Sequence, residues 1–174
     1  MRKGFRASQL FGRMGLAAAV GAFLALPTVV SAQGPGTEGG QWTYLGGDAW
    51  HTRYLPASQI NASNFNELEL AWEFNASSFG FGADVMRATP SYVDGTLSTV
   101  AGANRNVVAL DADNGEVIWS YREPTTPRRE YSMRAGYGKG VAYAEIDGRE
   151  VVYISSPGFF LHALDAETGA HLEG

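Results

Sequence analysis

A short pattern that occurs twice constrains this chain more than any other feature. Residues 109–115 read Ala-Leu-Asp-Ala-Asp-Asn-Gly and residues 163–169 read Ala-Leu-Asp-Ala-Glu-Thr-Gly, a shift of 54. In the first copy the apolar run Val107-Val108 leads into the pattern, and Val117-Ile118-Trp119 leads out of it. An apolar run, a polar turn and a second apolar run predict a hairpin. Asn114-Gly115 strengthens that prediction, because both residues tolerate positive φ. A second correspondence lies upstream, where Val93-Asp94-Gly95 matches Ile146-Asp147-Gly148. From that glycine to the repeated Ala-Leu-Asp is 14 residues in the first copy and 15 in the second. A period of roughly 50 residues holding about four short strands is the pattern of a β-propeller blade. Two chance hairpins in a β-sandwich are the alternative, and the shared Ala-Leu-Asp-Ala-x-x-Gly argues against it.

The rest of the chain fits an all-β reading. Glycine is abundant at 22 residues and aromatics make up 12%, a balance suited to short strands joined by many turns. The alternation in residues 68–75 (LELAWEFN) predicts a strand, as does 86–93, where Pro90 marks an edge or bulge. Further strands are expected at 96–101, 140–146, 150–155 and 160–166, with Asp94-Gly95 and Asp147-Gly148 as turns. Asn64 or Ser63 can cap one short helical turn within 58–68. Residues 33–40 (QGPGTEGG) read as a flexible leader and 80–84 as a glycine-rich loop. Residues 123–134 contain two prolines and no hydrophobic period, which predicts a surface loop.

The first 32 residues read as a secretory signal. Arg2, Lys3, Arg6 and Arg13 form a positive start, residues 15–30 are apolar, and Val30-Ser31-Ala32 offers a cleavage site. A membrane anchor is the alternative, for which the apolar run is short. Export places the remaining domain, 33–174, in the periplasm. Cleavage removes four of the 13 basic residues and none of the 18 acidic ones, leaving a net charge of −9. An acidic surface argues against nucleic acid as a partner. Without cysteine there are no disulfides, thiolate metal sites or cysteine nucleophiles. His51, His162 and His171 lack metal-ligand spacing, and His162 reads as a packed strand residue. Asp111, Asp113 and Asp165 look calcium-like, but aspartates in turns bond their own backbone.

Residues 109–119, with Ala109, Gly115 and Trp119 in place, resemble the tryptophan-docking motif of the pyrroloquinoline-quinone (PQQ) dehydrogenases, which are eight-bladed propellers. The small alanine and glycine leave room for an indole to stack between blades. The second copy has Glu173 where Trp119 stands in the first. The resemblance continues in Gly46-Gly47-Asp48, Thr52-Arg53-Tyr54, Ile60-Asn61 and Leu70-Ala71-Trp72, which look like the mature N-terminus of these enzymes. There the early strand completes the last blade of the ring. The resemblance thus implies about two blades plus a closing N-terminal strand.

It also implies cofactor contacts at three positions. Arg87 stands where the family usually has Glu or Gln beside the quinone. Lys139 stands where it has an arginine near the quinone carbonyls, and Ser156 where a threonine meets a quinone carboxylate. Read alone, the same residues are two surface cations and a turn former. The alcohol-oxidising members carry adjacent cysteines where this chain has Met133 and Arg134, a departure that leans towards sugar- or polyol-oxidising relatives. The implied function is the N-terminal portion of a PQQ- and calcium-dependent dehydrogenase acting on sugars, polyols or alcohols. Its electron acceptor would be one such as ubiquinone or a cytochrome c. The family's calcium ligands and catalytic aspartate have no counterpart here, so the chain alone is expected to be inactive. A PQQ-like propeller serving as a cell-envelope binding scaffold without cofactor is the competing reading.

Overall fold

The computed structural model describes residues 35–80, 87–132 and 140–173. The proposed signal segment 1–32, most of the 80–84 loop, Met133, Arg134 and Lys139 lie outside the described residues. Two antiparallel sheets carry the fold. The first runs in the order β1 (Ser91–Val93), β2 (Thr96–Ala101), β3 (Asn106–Asp111) and β4 (Val117–Tyr121). The second holds β5 (Ala142–Ile146), β6 (Arg149–Ser155) and β7 (Leu161–Asp165). Each is a meander of neighbouring strands, as in propeller blades. No helix among the described residues is long and apolar enough to cross a membrane.

Turn chemistry sets the registers. Asp94 and Gly95 take φ of 43° and 84°, and Asp147 and Gly148 take 52° and 73°, so both hairpins close through two left-handed residues. The turn after β3 is built differently from the expected Asn-Gly pair. Only Gly115 is left-handed, at φ 75°, and the turn spans five residues, 111–115. Gly115 N–H donates to the Asp111 carbonyl at 2.8 Å, while Asn114 Oδ1 accepts from Glu116 N–H at 2.8 Å. The ladder beyond it shifts between Ala109 and Leu110, a bulge that lets Ala109 face Trp119 and Leu110 face Val117. The aspartates behave as turn formers. Asp111 Oδ1 accepts from Asp113 N–H at 2.8 Å and Asp165 Oδ1 from Thr168 N–H at 3.0 Å.

β3 is apolar on both sides because both sides are covered. Val107 and Ala109 face the second sheet, where they pack with Val100 and Trp119 against Val152, Ile154 and Leu164. Val108 and Leu110 face the other way with Ala101, under Trp72, Phe74, Ala76, Phe79 and Leu97. Two indoles lock this packing. The Trp72 Nε1 proton goes to the Ala112 carbonyl at 2.9 Å, and that of Trp119 goes to the Ala166 carbonyl at 2.9 Å. A β-carbon on Gly115 would lie 2.5 Å from Cε3 of Trp72, and one on Gly169 would lie 2.5 Å from Cε3 of Trp119. Each glycine therefore leaves the space that the ring of the preceding segment occupies. The alanine and glycine of one copy receive the tryptophan of the segment before it. The second copy is thus docked by Trp119 even though Glu173 replaces its own tryptophan.

Several expectations are corrected. Residues 68–75 form no strand among the described residues. Their alternation reflects Trp72 and Phe74 packing on the first sheet, while Leu70 is 79% exposed and the backbone joins no ladder. The strand expected at 86–93 is confined to Ser91–Val93, because Pro90 has no N–H to give a ladder. Residues 123–134 include a short helix, α1 (Pro127–Glu130), with proline in its first turn and Thr126 Oγ1 accepting from Arg129 N–H at 3.2 Å. Glycine-rich residues 35–40 are tied down: Ala49 N–H bonds the Pro35 carbonyl at 2.9 Å and Thr43 N–H the Gly36 carbonyl at 3.1 Å. The short helical turn does form, at Phe65–Glu67 following Asn64. The Asn64 side chain instead accepts from Asn61 N–H at 2.8 Å.

Asp48 organises the segment ahead of the sheets. It is fully buried and accepts from Trp50 N–H at 3.1 Å, Thr52 N–H at 2.9 Å and the Thr52 hydroxyl at 2.7 Å. Asp48→Ala strands these donors and is expected to cost about 1–3 kcal/mol. Comparison of chemical-denaturation midpoints checks this, and an unchanged midpoint would remove Asp48 as the organiser.

Candidate functional site

In a meander the strand ends alternate, so certain connections share one end of the sheets. These are the lead into β1, the 102–105 connection, the segment after β4 and the 156–160 connection. The leads into β1 and β5 are in contact there: a β-carbon on Gly140 would lie 2.9 Å from the Thr89 carbonyl oxygen. Arg87 sits two residues before Thr89 and is exposed. Ser156 lies at the same end and is buried, at 3% exposure. Lys139 is outside the described residues.

Ser156 belongs to a cluster centred on Glu123, a residue the sequence assigned only to a loop. Glu123 is buried just after β4. Its Oε1 accepts the Ser156 hydroxyl proton, and its Oε2 accepts from Gly158 N–H at 3.0 Å. His162 Nε2 lies 3.5 Å from Oε1, and Arg129 Nε lies 3.8 Å from Oε2. The Ser156 oxygen in turn accepts from Phe160 N–H at 3.3 Å. Glu123 thus ties the start of the link between sheets to the 156–160 connection of the second sheet. α1 delivers Arg129, whose Nη1 bonds Thr125 Oγ1 at 3.2 Å. Arg129 Nη2 is buried without a hydrogen-bond partner among the described residues.

Burial by itself would raise the Glu123 carboxyl pKa. The hydrogen bonds from Ser156, Gly158 and His162 outweigh it and hold the group below the usual carboxylate range. Its charge is felt nearby. The Tyr121 phenol is pushed up by burial and by Glu123, whereas burial lowers Arg105 and the attraction of Glu123 partly offsets this. Next to the carboxylate, Tyr121 Oη lies 3.2 Å and His171 Nε2 lies 3.1 Å from His162 Nδ1. His162 is therefore part of a polar contact rather than simply packed. Among the described residues, no group of three or more His, Asp or Glu side chains is placed to hold a metal ion.

These positions meet a bound anion unequally. Arg87, an exposed cation at the shared end, suits a carboxylate. Ser156 has one hydroxyl proton, and Glu123 takes it. A quinone carboxylate would gain that proton only by displacing the bond to Glu123, and would stand beside a second negative charge.

Comparison with known proteins covers nearly all of the described chain. The model of the PQQ glucose/ethanol/alcohol dehydrogenase β-propeller domain matches residues 42–174. The 1-butanol dehydrogenase (cytochrome c) of Thauera butanivorans is 34% identical over 150 residues, covering 85% of this chain and 20% of that protein. The crystal structure of quinohemoprotein alcohol dehydrogenase from Comamonas testosteroni superimposes with a TM-score of 0.60 at 32% identity, covering 76% of this chain and 19% of the other. A europium-containing methanol dehydrogenase gives 0.58 at 25% identity, covering 76% and 22%. The chain thus spans about a fifth of the length of the relatives it matches.

Proposed function

The chain belongs to the PQQ dehydrogenase β-propeller family, and on that premise we propose that it is the N-terminal part of a periplasmic dehydrogenase dependent on PQQ and calcium. Its substrates would be sugars, polyols or alcohols. The observation that carries this reading is the repeated dock, Trp72 on Gly115 and Trp119 on Gly169, within a stretch matched throughout by the family. The charged start and apolar stretch of residues 1–32 support export. The name of the Thauera relative supports a cytochrome c as electron acceptor, with ubiquinone as the other candidate.

When bound, the quinone supplies a two-electron acceptor and calcium supplies Lewis-acid polarisation. The part of this chain is to hold and orient. Arg87 brings positive charge to the shared end, where anionic groups of the cofactor would lie, and the resemblance assigns a second cation to the cofactor at position 139. Lysine there offers a point charge in place of arginine's planar fork. Ser156 would reach the cofactor only by giving up Glu123, which makes Glu123 the group that sets the position of that connection.

Full-length protein stripped of cofactor and supplied with PQQ and Ca²⁺ is expected to reduce an artificial dye with at least one sugar or alcohol, and not without PQQ. No reduction with any of them would remove the enzyme reading. The scaffold reading has its own support, in Arg87 standing at a Glu/Gln position and in the Ser156 proton held by Glu123. Quenching of tryptophan fluorescence by added PQQ separates the two, since a cofactor-free scaffold shows none.

A further inference from the structure

The end of β4 and the hairpin that holds β7 bring polar ring atoms together at the boundary between the two sheets. Tyr121 closes β4, His162 lies in β7, and His171 follows the 165–169 turn. His162 Nδ1 is the focus, with Tyr121 Oη at 3.2 Å and His171 Nε2 at 3.1 Å. The rings are ordered around it. Tyr121 and His171 stack at 22° with centroids 6.2 Å apart, while His162 meets His171 at 70° with centroids 5.2 Å apart.

The internal repeat shows that the fold does not require these histidines. A shift of 54 residues places Val108 opposite His162 and Val117 opposite His171. In the first copy, then, two valines complete the same pair of strands. The second copy has exchanged both for imidazoles, and the register that pairs Leu164 with His171 puts them within reach of each other.

The protons can be placed. His162 Nε2 faces Glu123 Oε1 at 3.5 Å, so a proton on Nε2 is held by the carboxylate and the lone pair is left on Nδ1. A carboxylate behind an imidazole in this way fixes its tautomer and orients it as a ligand. His171 is exposed, so the cluster is open to solvent on that side. Metal–nitrogen bonds of about 2.0–2.1 Å put neighbouring donor atoms roughly 2.9 Å apart at a right angle and roughly 3.4 Å apart at the tetrahedral angle. The observed separations of 3.1 and 3.2 Å lie inside that interval.

We propose that Tyr121, His162 and His171 form a binding site for a divalent transition-metal ion of the Cu²⁺ or Zn²⁺ class, with Glu123 as the carboxylate behind His162. Two imidazoles and a phenol favour such ions over calcium, which takes oxygen ligands. Water completes the coordination on the exposed side. An ion there would join the end of the first sheet to the outer edge of the second. The proposal does not depend on the quinone reading.

The test is titration of the chelator-treated chain with Cu²⁺ and with Zn²⁺ by calorimetry, in the absence of PQQ. One equivalent is expected to bind, with Cu²⁺ giving a phenolate-to-copper absorption band. His171→Ala changes an exposed position, so folding is not at stake, and should weaken binding by more than about tenfold. Tyr121→Phe should remove the absorption band. The double change His162→Val with His171→Val restores the residues of the first copy and should abolish binding. Retention of wild-type affinity by His171→Ala, loss of affinity on changing His51 instead, or no binding by the parent chain would each overturn the site.

Discussion

Trp119→Ala is expected to be the most damaging single change in the sheet pair, lowering the unfolding free energy by about 3–5 kcal/mol. The ring is 8% exposed and lies in the cluster shared by both sheets, so its removal opens a cavity that neither sheet can close alone. It also strands the Ala166 carbonyl, which now accepts the indole N–H at 2.9 Å. Trp119→Phe keeps most of the apolar contact and should cost less, with the lost hydrogen bond contributing about 1 kcal/mol. The partner glycine supplies an internal check. Gly169→Ala forces a β-carbon against Cε3 of Trp119 at 2.5 Å and holds alanine at φ 71°. Its cost in the parent should be about 1–3 kcal/mol. In the Trp119→Ala background the collision disappears and only the backbone cost remains. A double-mutant cycle by urea unfolding should therefore show coupling of about 0.5–3 kcal/mol. Strict additivity would mean that the two residues do not form the joint.

The same joint shows how far the chain can be read from its letters. The Ala-Leu-Asp-Ala-x-x-Gly repeat and Trp119 are local patterns whose spacing encodes a shape, so the all-β class and the pairing of alanine, glycine and indole were visible. β2 falls at residues 96–101 as expected, because the Asp94-Gly95 turn sets its start. Residues 68–75 alternate like a strand because Trp72 and Phe74 point to one covered face. Burial has that period whether or not a ladder partner is present, so the pattern could not distinguish the two. The short helix was hidden by its proline: Thr126-Pro127 is a helix start, but a second proline at 124 makes the stretch read as broken. The Glu123 cluster had no local signal at all. Ser156, Gly158 and His162 lie 33, 35 and 39 residues away, and only the packing of one sheet on the other brings them to the carboxylate. His162 and His171 failed a test of helical ligand spacing, yet a hairpin places residues nine apart side by side.

Glu123→Ala should approach Trp119→Ala in cost, for an electrostatic reason. The carboxylate receives the Ser156 hydroxyl, Gly158 N–H and His162, and it stands 3.8 Å from a buried arginine. Removal leaves Arg129 as an uncompensated buried charge and orphans the donors on the 156–160 connection, at about 3–5 kcal/mol. Glu123→Gln keeps the shape but has one accepting oxygen instead of two and turns an NH₂ towards donors, for about 1–3 kcal/mol. The pH dependence separates charge from shape. The carboxyl is held below its ordinary value in the folded chain, so its stabilisation is complete above the unfolded pKa of about 4.3. It is lost as pH falls through the lower folded value. Melting temperatures of the parent and of Glu123→Gln should therefore differ most at neutral pH and converge below about pH 4. A constant gap down to pH 3 would assign the effect to packing and would remove the ion as the tie between the sheets. If the tie is ionic, Glu123→Gln should also loosen the 156–160 connection at neutral pH. Faster amide exchange at Gly158 and Phe160, relative to that at Val107 and Val108 in β3, would register it.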